Sequence, residues 1–223
     1  MTSFLDRSIK LLGKTKVESF ENKVILLCGL GGVGGTALEA LVRSGFKHFI
    51  LVDFDYVDES NLNRQILYTF ADVEKAKTEV AKQRILSINP DVEVELISKK
   101  ITKDFFNGFD KKVDYVVDAI DFIEGKLAII SYALSNNIPL ISCLGMGNRI
   151  DPSKVKITKL NKTEGDPLAR KLRYECRQLN LDLGKINVVF SSEEPLIVSK
   201  EPGSMMMVPS CAGLQIAKFI IGG

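Results

Sequence analysis

The sequence has few of the residues that bind metal ions or form disulfide frameworks. Its 223 residues include one histidine, His48, and four cysteines that lie far apart, at Cys28, Cys143, Cys176 and Cys211. No two cysteines form a C-x-x-C pair, which disfavours a structural zinc site. A chain of this length buries a core without needing disulfides. The single histidine excludes most histidine-rich metal sites and any chemistry that needs a second histidine.

The sequence also lacks long apolar runs. None reaches the roughly 18 residues that cross a bilayer, and residues 1–13 contain no secretory apolar core. The composition, 45% apolar and 26% charged, is that of a globular protein. We therefore expect a cytoplasmic protein that does not enter a membrane.

Positive charge is concentrated in one late segment. The net charge is only +2, but residues 154–185 contain nine Lys or Arg against four Asp or Glu, a local excess of five. Such a segment is either a solvated helix face or a surface for a polyanion such as RNA. Charge alone leaves both interpretations open.

The apolar pattern predicts a parallel α/β sheet. A continuous apolar run at 24–28, a helical pattern at 37–42 and a second apolar run at 49–52 have the size of a βαβ crossover. The predicted elements that follow are a helix over 72–88 with Asp72 as N-cap, a half-exposed strand over 92–97, strands over 115–118 and 140–142, and a helix over 125–135. This alternation favours a Rossmann-like, doubly wound, mainly parallel sheet.

The character of the sequence changes after residue 147. We predict a strand over 154–160, a helix over 167–179, a strand over 187–191 and a final helix over 212–221. The whole chain, 1–223, is interpreted as a single domain. Its nucleotide-binding part covers about 20–150, and a C-terminal elaboration covers about 151–223.

A glycine-rich turn follows the first predicted strand. Gly29, Gly31, Gly32 and Gly34 form a G-x-G-x-x-G pattern that opens a helix, so backbone amides at a positive helix terminus can approach a phosphate. Asp53 ends the second strand, where it can accept hydrogen bonds from a ribose. The pattern fits NAD and ATP equally well.

Charged and polar residues near the expected carboxyl edge of the sheet favour ATP. Asn61, Arg64 and Gln65 follow the second strand, Lys77 lies in the next helix, and Asp118 and Asp121 follow a later strand. An adenylating enzyme needs cations for the charge that builds on phosphate oxygens and a carboxylate for Mg²⁺. His48 lies at the opposite edge, so no histidine base is available for hydride transfer.

These residues resemble the superfamily of ubiquitin-activating, ThiF, MoeB and HesA adenylating enzymes. The matching stretches are 29–34, 53–55, 60–65, Lys77, 88–90 and 118–121, within about the first 150 residues. The resemblance implies that Gly32 contacts the nucleotide, that Asp53 holds its ribose, and that Asp121 coordinates Mg²⁺. The nucleotide-binding residues implied are Gly29, Gly31, Gly32, Gly34, Asp53, Asp55, Asn61, Arg64, Gln65, Lys77, Asp118 and Asp121.

The same resemblance implies a catalytic set and an assembly. The residues implied to be catalytic are Arg64, Lys77, Asp121 and Arg7. Arg7 resembles an arginine that reaches into the ATP site of a partner subunit, which implies a homodimer. A sulfur-relay protein is a further partner that the resemblance allows.

The second half resembles the tRNA threonylcarbamoyladenosine dehydratase branch of this superfamily. The resemblance lies in 151–152, 162–163, 166–170, 189–193 and 208–210. It implies that ATP activates the threonylcarbamoyl carboxylate on a tRNA adenosine, after which intramolecular attack expels AMP and closes a ring. Two features depart from relatives: the C-x-x-C pairs of sulfur-transferring members are absent, and Phe122 stands where many have Asn or Ser.

Alternatives stay open at this point. Four functions are compatible with the sequence. They are a tRNA-modifying dehydratase, an adenylyltransferase for a ubiquitin-like sulfur carrier, an NAD-binding redox protein and a nucleotide-sensing module without turnover. Cys211 is either a small packed side chain or a reactive thiol. The second alternative requires that Ser210 caps the last helix, because the helix dipole then lowers the pKa of the Cys211 thiol.

Overall fold

The fold is a mixed sheet flanked by helices on both faces, seen in a computed structural model that describes residues 3–197, 199 and 201–223. The strands are β1 (Val24–Cys28), β2 (His48–Val52), β3 (Glu93–Ile97), β4 (Tyr115–Asp118), β5 (Leu140–Cys143), β6 (Val155–Lys159) and β7 (Asn187–Ser191). The α-helices are α1 (Asp6–Leu12), α2 (Lys14–Phe20), α3 (Gly32–Arg43), α4 (Lys77–Ile88), α5 (Ile123–Ser135), α6 (Pro167–Gln178) and α7 (Met207–Gly222).

The sheet has the order β3-β2-β1-β4-β5-β7-β6. Every neighbouring pair is parallel except β6 and β7, which pair antiparallel at one edge. The chain starts near the middle and winds outward in both directions, which confirms the expected Rossmann-like class. The carboxyl ends of β1, β2, β4 and β5 meet at one edge, where such sheets bind ligands.

Alternate side chains of β1 pack into two different cores. Ile25 and Leu27 lie in the core under α2, α3, α4 and α7, whereas Leu26 and Cys28 lie in the core under α5 and α6. Successive side chains of a strand point to opposite faces, so a strand covered on both sides must be apolar throughout. This explains the unbroken apolar run that predicts β1. Among the described residues, no helix combines the length and apolarity that would let it span a membrane.

Helix α4 begins at Lys77, so the prediction of a helix from Asp72 is wrong. Asp72 ends a short 3-10 turn, Phe70–Asp72, and its carboxylate accepts hydrogen bonds from the amide and hydroxyl of Thr69. Glu74 then adopts a φ of 68°, a left-handed conformation that cannot continue a helix. The apolar spacing across 73–76 therefore imitates helical periodicity in a turn.

Helix α7 begins at Met207, five residues before the predicted start. Ser210 lies inside the helix and its amide donates to the Met206 carbonyl at 2.9 Å, so Ser210 does not cap the helix. Pro209 is compatible with this start because the amides of a first turn have no intrahelical acceptor. Cys211 is therefore beyond the first turn, and burial raises the pKa of its thiol. Ser210 therefore does not supply the cap on which dipole activation of Cys211 depends, and the structure favours the other alternative, a small packed side chain.

Helix α7 packs closely against α3 through a glycine. A Cβ on Gly213 would lie 2.5 Å from the Val33 carbonyl oxygen and 2.8 Å from Thr36 Cβ. Backbone atoms are among these neighbours, so a larger residue must push the two helices apart. Only glycine allows this separation.

Gly213→Ala should therefore destabilise the protein by about 1–3 kcal/mol, because the added methyl group overpacks the contact between α3 and α7. Chemical unfolding of both proteins measures the difference. Gly222→Ala in the same helix is the control, because a Cβ there has no neighbour within 4 Å. Equal stability of the Gly213→Ala and Gly222→Ala variants would contradict the packing argument.

Glu39 on α3 joins two arginines at the surface of one core. Arg43 Nη2 lies 2.8 Å from Glu39 Oε1, and Arg84 Nε lies 3.0 Å from Glu39 Oε2. Burial alone raises the pKa of Glu39, but the hydrogen bonds from Arg84 and Arg43 outweigh burial and hold the pKa below its ordinary value of 4.5. A carboxyl with a lowered folded pKa stabilises the protein above its unfolded pKa, and this stabilisation is lost as the pH falls through the folded value.

We expect Glu39→Gln to lower the free energy of unfolding at neutral pH, because the charged hydrogen bonds to both arginines are weakened. The difference between wild type and variant should shrink as the pH falls from 4.5 through the lowered pKa of the folded carboxyl, because the wild-type side chain then becomes neutral as well. Urea unfolding at neutral pH and at about pH 3 measures both differences. A difference that is independent of pH would show that Glu39 does not act through its charge.

Candidate active site

A cavity of about 810 Å³ opens at the carboxyl edge of the sheet. This volume lies within the range of small-molecule sites. The loops after β1, β2, β4 and β5 form its walls, together with the start of α6 and part of 195–204. The predicted site residues that line it are Gly29, Gly31, Gly32, Asp53, Asp55, Asn61, Arg64, Gln65, Lys77 and Asp121.

The glycine turn is shaped by backbone contacts. Gly29 has a φ of 93°, and a Cβ there would lie 2.7 Å from the Ala119 carbonyl oxygen. A Cβ on Gly32 would lie 2.9 Å from the Arg64 carbonyl oxygen, and one on Gly34 would collide with the Gly29 carbonyl. Gly34 therefore lies beneath the cavity rather than at its wall. The start of α3 borders the cavity at Gly32 and Val33, and the first amides of a helix have no intrahelical acceptors, so they are available to an anion there.

The carboxylate of Asp53 fixes this turn. Its Oδ2 accepts a hydrogen bond from the Leu30 amide at 2.6 Å, and its Oδ1 accepts one from the Asp55 amide at 2.8 Å. Burial raises the pKa of Asp53, and the two backbone hydrogen bonds oppose this rise. Asp53 thus links the turn after β1 to the end of β2 while it borders the cavity.

Two cations lie on the wall formed after β2. Lys77 is the first residue of α4, is 5% exposed, and its Nζ lies 3.1 Å from Asp55 Oδ2. Arg64 donates from Nη1 to the Ser60 carbonyl at 2.7 Å and to Asn63 Oδ1 at 2.9 Å. These contacts hold both cations at the side of the cavity where α3 begins. An anion that enters there meets helix-terminal amides and two positive charges together.

Two amide side chains support the same wall. Asn61 accepts a hydrogen bond from the Asp58 amide through Oδ1 at 3.3 Å, which closes the 3-10 turn Glu59–Asn61. Gln65 is 6% exposed, and its buried Oε1 has no hydrogen-bond partner in the described part of the chain. A buried acceptor without a donor is unfavourable unless a ligand supplies one. Gln65 is thus prepared to accept a donor group in the cavity.

The two aspartates after β4 have different surroundings. Asp121 is exposed and lines the cavity. The structure does not bring Asp118 to the cavity. Asp118 is fully buried, its Oδ2 lies 3.0 Å from Lys126 Nζ, and it accepts a hydrogen bond from Ser142. Lys126 also donates to the Cys143 carbonyl at 2.6 Å, so this network joins the ends of β4 and β5.

The cavity supplies no activated thiol. Cys143 lines it, but burial raises the pKa of this thiol to about 12, which keeps it protonated. Within the described ranges, no three His, Cys, Asp or Glu side chains are grouped to hold a metal ion by themselves. Asp55 is paired with Lys77, so the exposed carboxylate of Asp121 is the one suited to a cation that arrives with its own oxygen ligands.

Two residues that the sequence analysis discussed, Arg7 and His48, lie away from the cavity. Arg7 is exposed on α1 and does not line it. His48 begins β2 at the opposite edge of the sheet, with Nδ1 3.2 Å from Glu93 Oε2. Neither side chain can act in the cavity of its own chain.

Sequence reasoning did not assign four of the lining residues to this site. Phe54 and Phe122 form an edge-to-face pair with ring centroids 6.4 Å apart at the cavity wall. Arg149 lines the cavity from the loop after β5. The position of Asp166 could have been predicted from the sequence. An aspartate followed by proline is typical of the start of a helix, with the carboxylate at the N-cap and Pro167 at the first helical position. No sequence pattern indicated Arg149, since an isolated arginine in a loop is ordinary.

Comparisons with known proteins agree with this geometry. Residues 5–170 match the ThiF family. The tRNA threonylcarbamoyladenosine dehydratase of Bacillus subtilis is 36% identical over 94% of this chain and 90% of its own length. The Escherichia coli enzyme of the same name is 37% identical over 91% of this chain and 78% of its own length. A crystal structure of the Escherichia coli enzyme in complex with ATP has a TM-score of 0.90 and 34% identity, and covers 97% of this chain and 91% of that chain. The chain therefore belongs to the ThiF family, in its tRNA threonylcarbamoyladenosine dehydratase branch.

Proposed function

We propose that this chain uses ATP to adenylate the carboxylate of threonylcarbamoyladenosine in tRNA and then closes the modified base to a ring. AMP and pyrophosphate leave, and the modified base loses water overall. The observation that carries the proposal is the likeness to dehydratases over nearly the whole chain. The cavity adds an independent argument, because helix-terminal amides, Arg64 and Lys77 converge where a polyphosphate would lie.

The proposed chemistry uses the cations where charge builds. When the carboxylate oxygen attacks the α-phosphate, negative charge increases on the phosphate oxygens and on the departing pyrophosphate. Arg64 and Lys77 would offset this charge, and the fixed amides at the start of α3 need no reorganisation to do the same. Intramolecular attack on the activated acyl group then expels AMP. No enzyme nucleophile is needed, which agrees with the protonated state of Cys143.

The remaining nucleotide contacts are assigned by their place on the wall. We assign ribose binding to Asp53, whose carboxylate borders the cavity, and phosphate binding to Asn61. Asp55 would act through Lys77, with which it forms an ion pair at 3.1 Å. Gly34 and the carboxylate of Asp118 are buried, which leaves both residues only a supporting role beneath the cavity.

Magnesium fits the carboxylate present. Mg²⁺ in nucleotide sites is held by one or two carboxylates together with substrate phosphates, and Asp121 is an exposed carboxylate at the cavity wall. When bound, the ion would neutralise charge on the nucleotide phosphates. Asp121 would hold it, and Lys77 would hold the other side of the phosphate chain.

The basic segment provides a surface for tRNA next to the cavity. Pro167 and Leu168, at the start of α6, line the cavity mouth. The exposed cations of this segment include Lys162, Arg170, Lys171 and Arg177. A polyanion bound along this face could place one nucleotide in the cavity while its backbone contacts the cations.

The test is AMP formation from ATP with tRNA that carries threonylcarbamoyladenosine, followed by mass spectrometry of the tRNA nucleosides. We expect AMP and a nucleoside that is lighter by one water, and neither product with unmodified tRNA. AMP formation with a carrier protein that ends in Gly-Gly, but not with tRNA, would instead identify a sulfur-carrier adenylyltransferase and refute the proposal.

In the same assay, Arg64→Ala should reduce the rate of AMP formation by about 10²–10³-fold, because it removes a charge that stabilises the transition state. Lys14→Ala is the control, since Lys14 is an exposed residue of α2 whose Nζ is 3.6 Å from Glu18. A variant that binds ATP normally and keeps the full rate would exclude Arg64 from the catalytic set.

We also propose that two copies associate and that Arg7 contributes to the site of the partner. Its exposure on α1, away from its own cavity, supports this assignment. Mixing Arg7→Ala with Arg64→Ala should then restore activity, because one of the two sites in a mixed dimer has both residues. A monomer in light scattering, or a mixture as inactive as the separate variants, would contradict the arrangement. The sulfur-relay partner and the cytoplasmic location stay predictions of the resemblance.

A further inference from the structure

Arg149 is a buried arginine on the cavity wall opposite the phosphate side. It lies in the loop after β5 and is 6% exposed. Its Nε donates to the Glu193 carbonyl at 3.0 Å, and its Nη1 donates to the Gly145 and Gly147 carbonyls at 2.8 and 3.2 Å. Three backbone carbonyls thus fix the plane of the guanidinium group.

The second terminal nitrogen of Arg149 has no hydrogen-bond partner among the residues that the structure describes. Nη2 is buried, and the nearest carboxylate oxygen, Asp166 Oδ2, lies 4.0 Å away, beyond hydrogen-bond distance. Each oxygen of Asp166 already accepts a backbone amide, from Ala169 at 2.9 Å and from Gly145 at 3.1 Å. A buried donor without an acceptor is rare in folded proteins and calls for an acceptor from a ligand.

The other charges near Arg149 are already engaged. The Glu193 carboxylate accepts the amides of Ile150 and Asp151 at 2.9–3.1 Å. Asp166 caps α6, so its negative charge faces the positive end of that helix. An incoming anion would therefore meet a guanidinium donor and a helix terminus rather than an uncompensated carboxylate.

The position of Arg149 assigns the kind of anion. The proposed phosphate contacts, the glycine turn, Arg64 and Lys77, follow β1 and β2. Arg149 follows β5, on the side of the cavity that is bordered by Pro167 and Leu168 at the start of the basic helix. The acceptor on that side belongs to the second substrate, whose reacting group is a carboxylate.

We propose that Nη2 of Arg149 binds the carboxylate of the threonylcarbamoyl group and holds it for attack on ATP. The proposal rests on the proposed function and adds a substrate-binding residue to it. One carboxylate oxygen would accept from Nη2, leaving the other free to attack phosphorus. Because the guanidinium plane is already fixed by three carbonyls, little conformational freedom is lost when the substrate binds.

The test compares binding of two tRNAs that differ only in the carboxylate-bearing group. Dissociation constants are measured without ATP for tRNA with threonylcarbamoyladenosine and for the same tRNA with unmodified adenosine. Wild type should prefer the modified tRNA. Arg149→Lys should reduce this preference by about tenfold or more, because a single ammonium held at the Gly145 and Gly147 carbonyls places no second nitrogen where Nη2 lies.

Arg173→Lys is the matched control. Arg173 Nη1 donates to the Thr163 carbonyl at 2.9 Å, and the residue does not line the cavity. This variant should keep the wild-type preference even if it weakens both tRNAs. Thermal unfolding confirms that each variant folds, and Arg149→Gln replaces Arg149→Lys if the latter does not.

Two results would overturn the inference: a wild type without preference for the modified tRNA, or an Arg149 variant that keeps the preference or weakens both tRNAs equally. The proposed function fails separately, if wild type forms no AMP with modified tRNA. Arg149 can therefore be excluded as the carboxylate-binding residue while the proposed function stands.

Discussion

The geometry of this site depends on one carboxylate that binds two backbone amides. Asp53 accepts from Leu30 and Asp55, and so joins the turn after β1 to the end of β2. Without these hydrogen bonds, the turn at Gly29, with its positive φ, and the start of α3 would have no fixed relation to Asp55 and Lys77. The amides at the start of α3 and the ammonium of Lys77 are thereby held at a fixed separation before any ligand binds.

A second buried network performs the same task between β4 and β5. Lys126, Asp118 and Ser142 are all fully buried and bind one another, and Lys126 also binds the Cys143 carbonyl. A buried ion pair contributes little net stability unless its hydrogen bonds are complete. Here they connect the loop that carries Asp121 to the loop that leads to Arg149, so the network positions both walls of the cavity.

The sequence predicted the sheet, the glycine turn and most of the β2 wall, because these rest on apolar runs and short local motifs. Asp118 was predicted to lie in the site, but it is buried against Lys126, eight residues later. No local sequence pattern shows that Lys126 contacts Asp118. The prediction started α4 at Asp72 and α7 at residue 212, because periodicity does not reveal the left-handed Glu74 or the tolerance of a first turn for Pro209. The sequence did not indicate Arg149, because the backbone carbonyls that fix its guanidinium group include one from Glu193, far along the chain.

The contact of α7 with the glycine turn has a consequence for synthesis of the chain. Pro209 lies against Gly32, Gly213 lies against Val33, and Ser210 lies 3.3 Å from the Thr36 hydroxyl. Helix α7 therefore packs on a helix that is translated well before it. Until it emerges from the ribosome, the apolar face of α3 has no cover and is open to association with other chains. This long-range closure slows folding relative to a chain with local contacts.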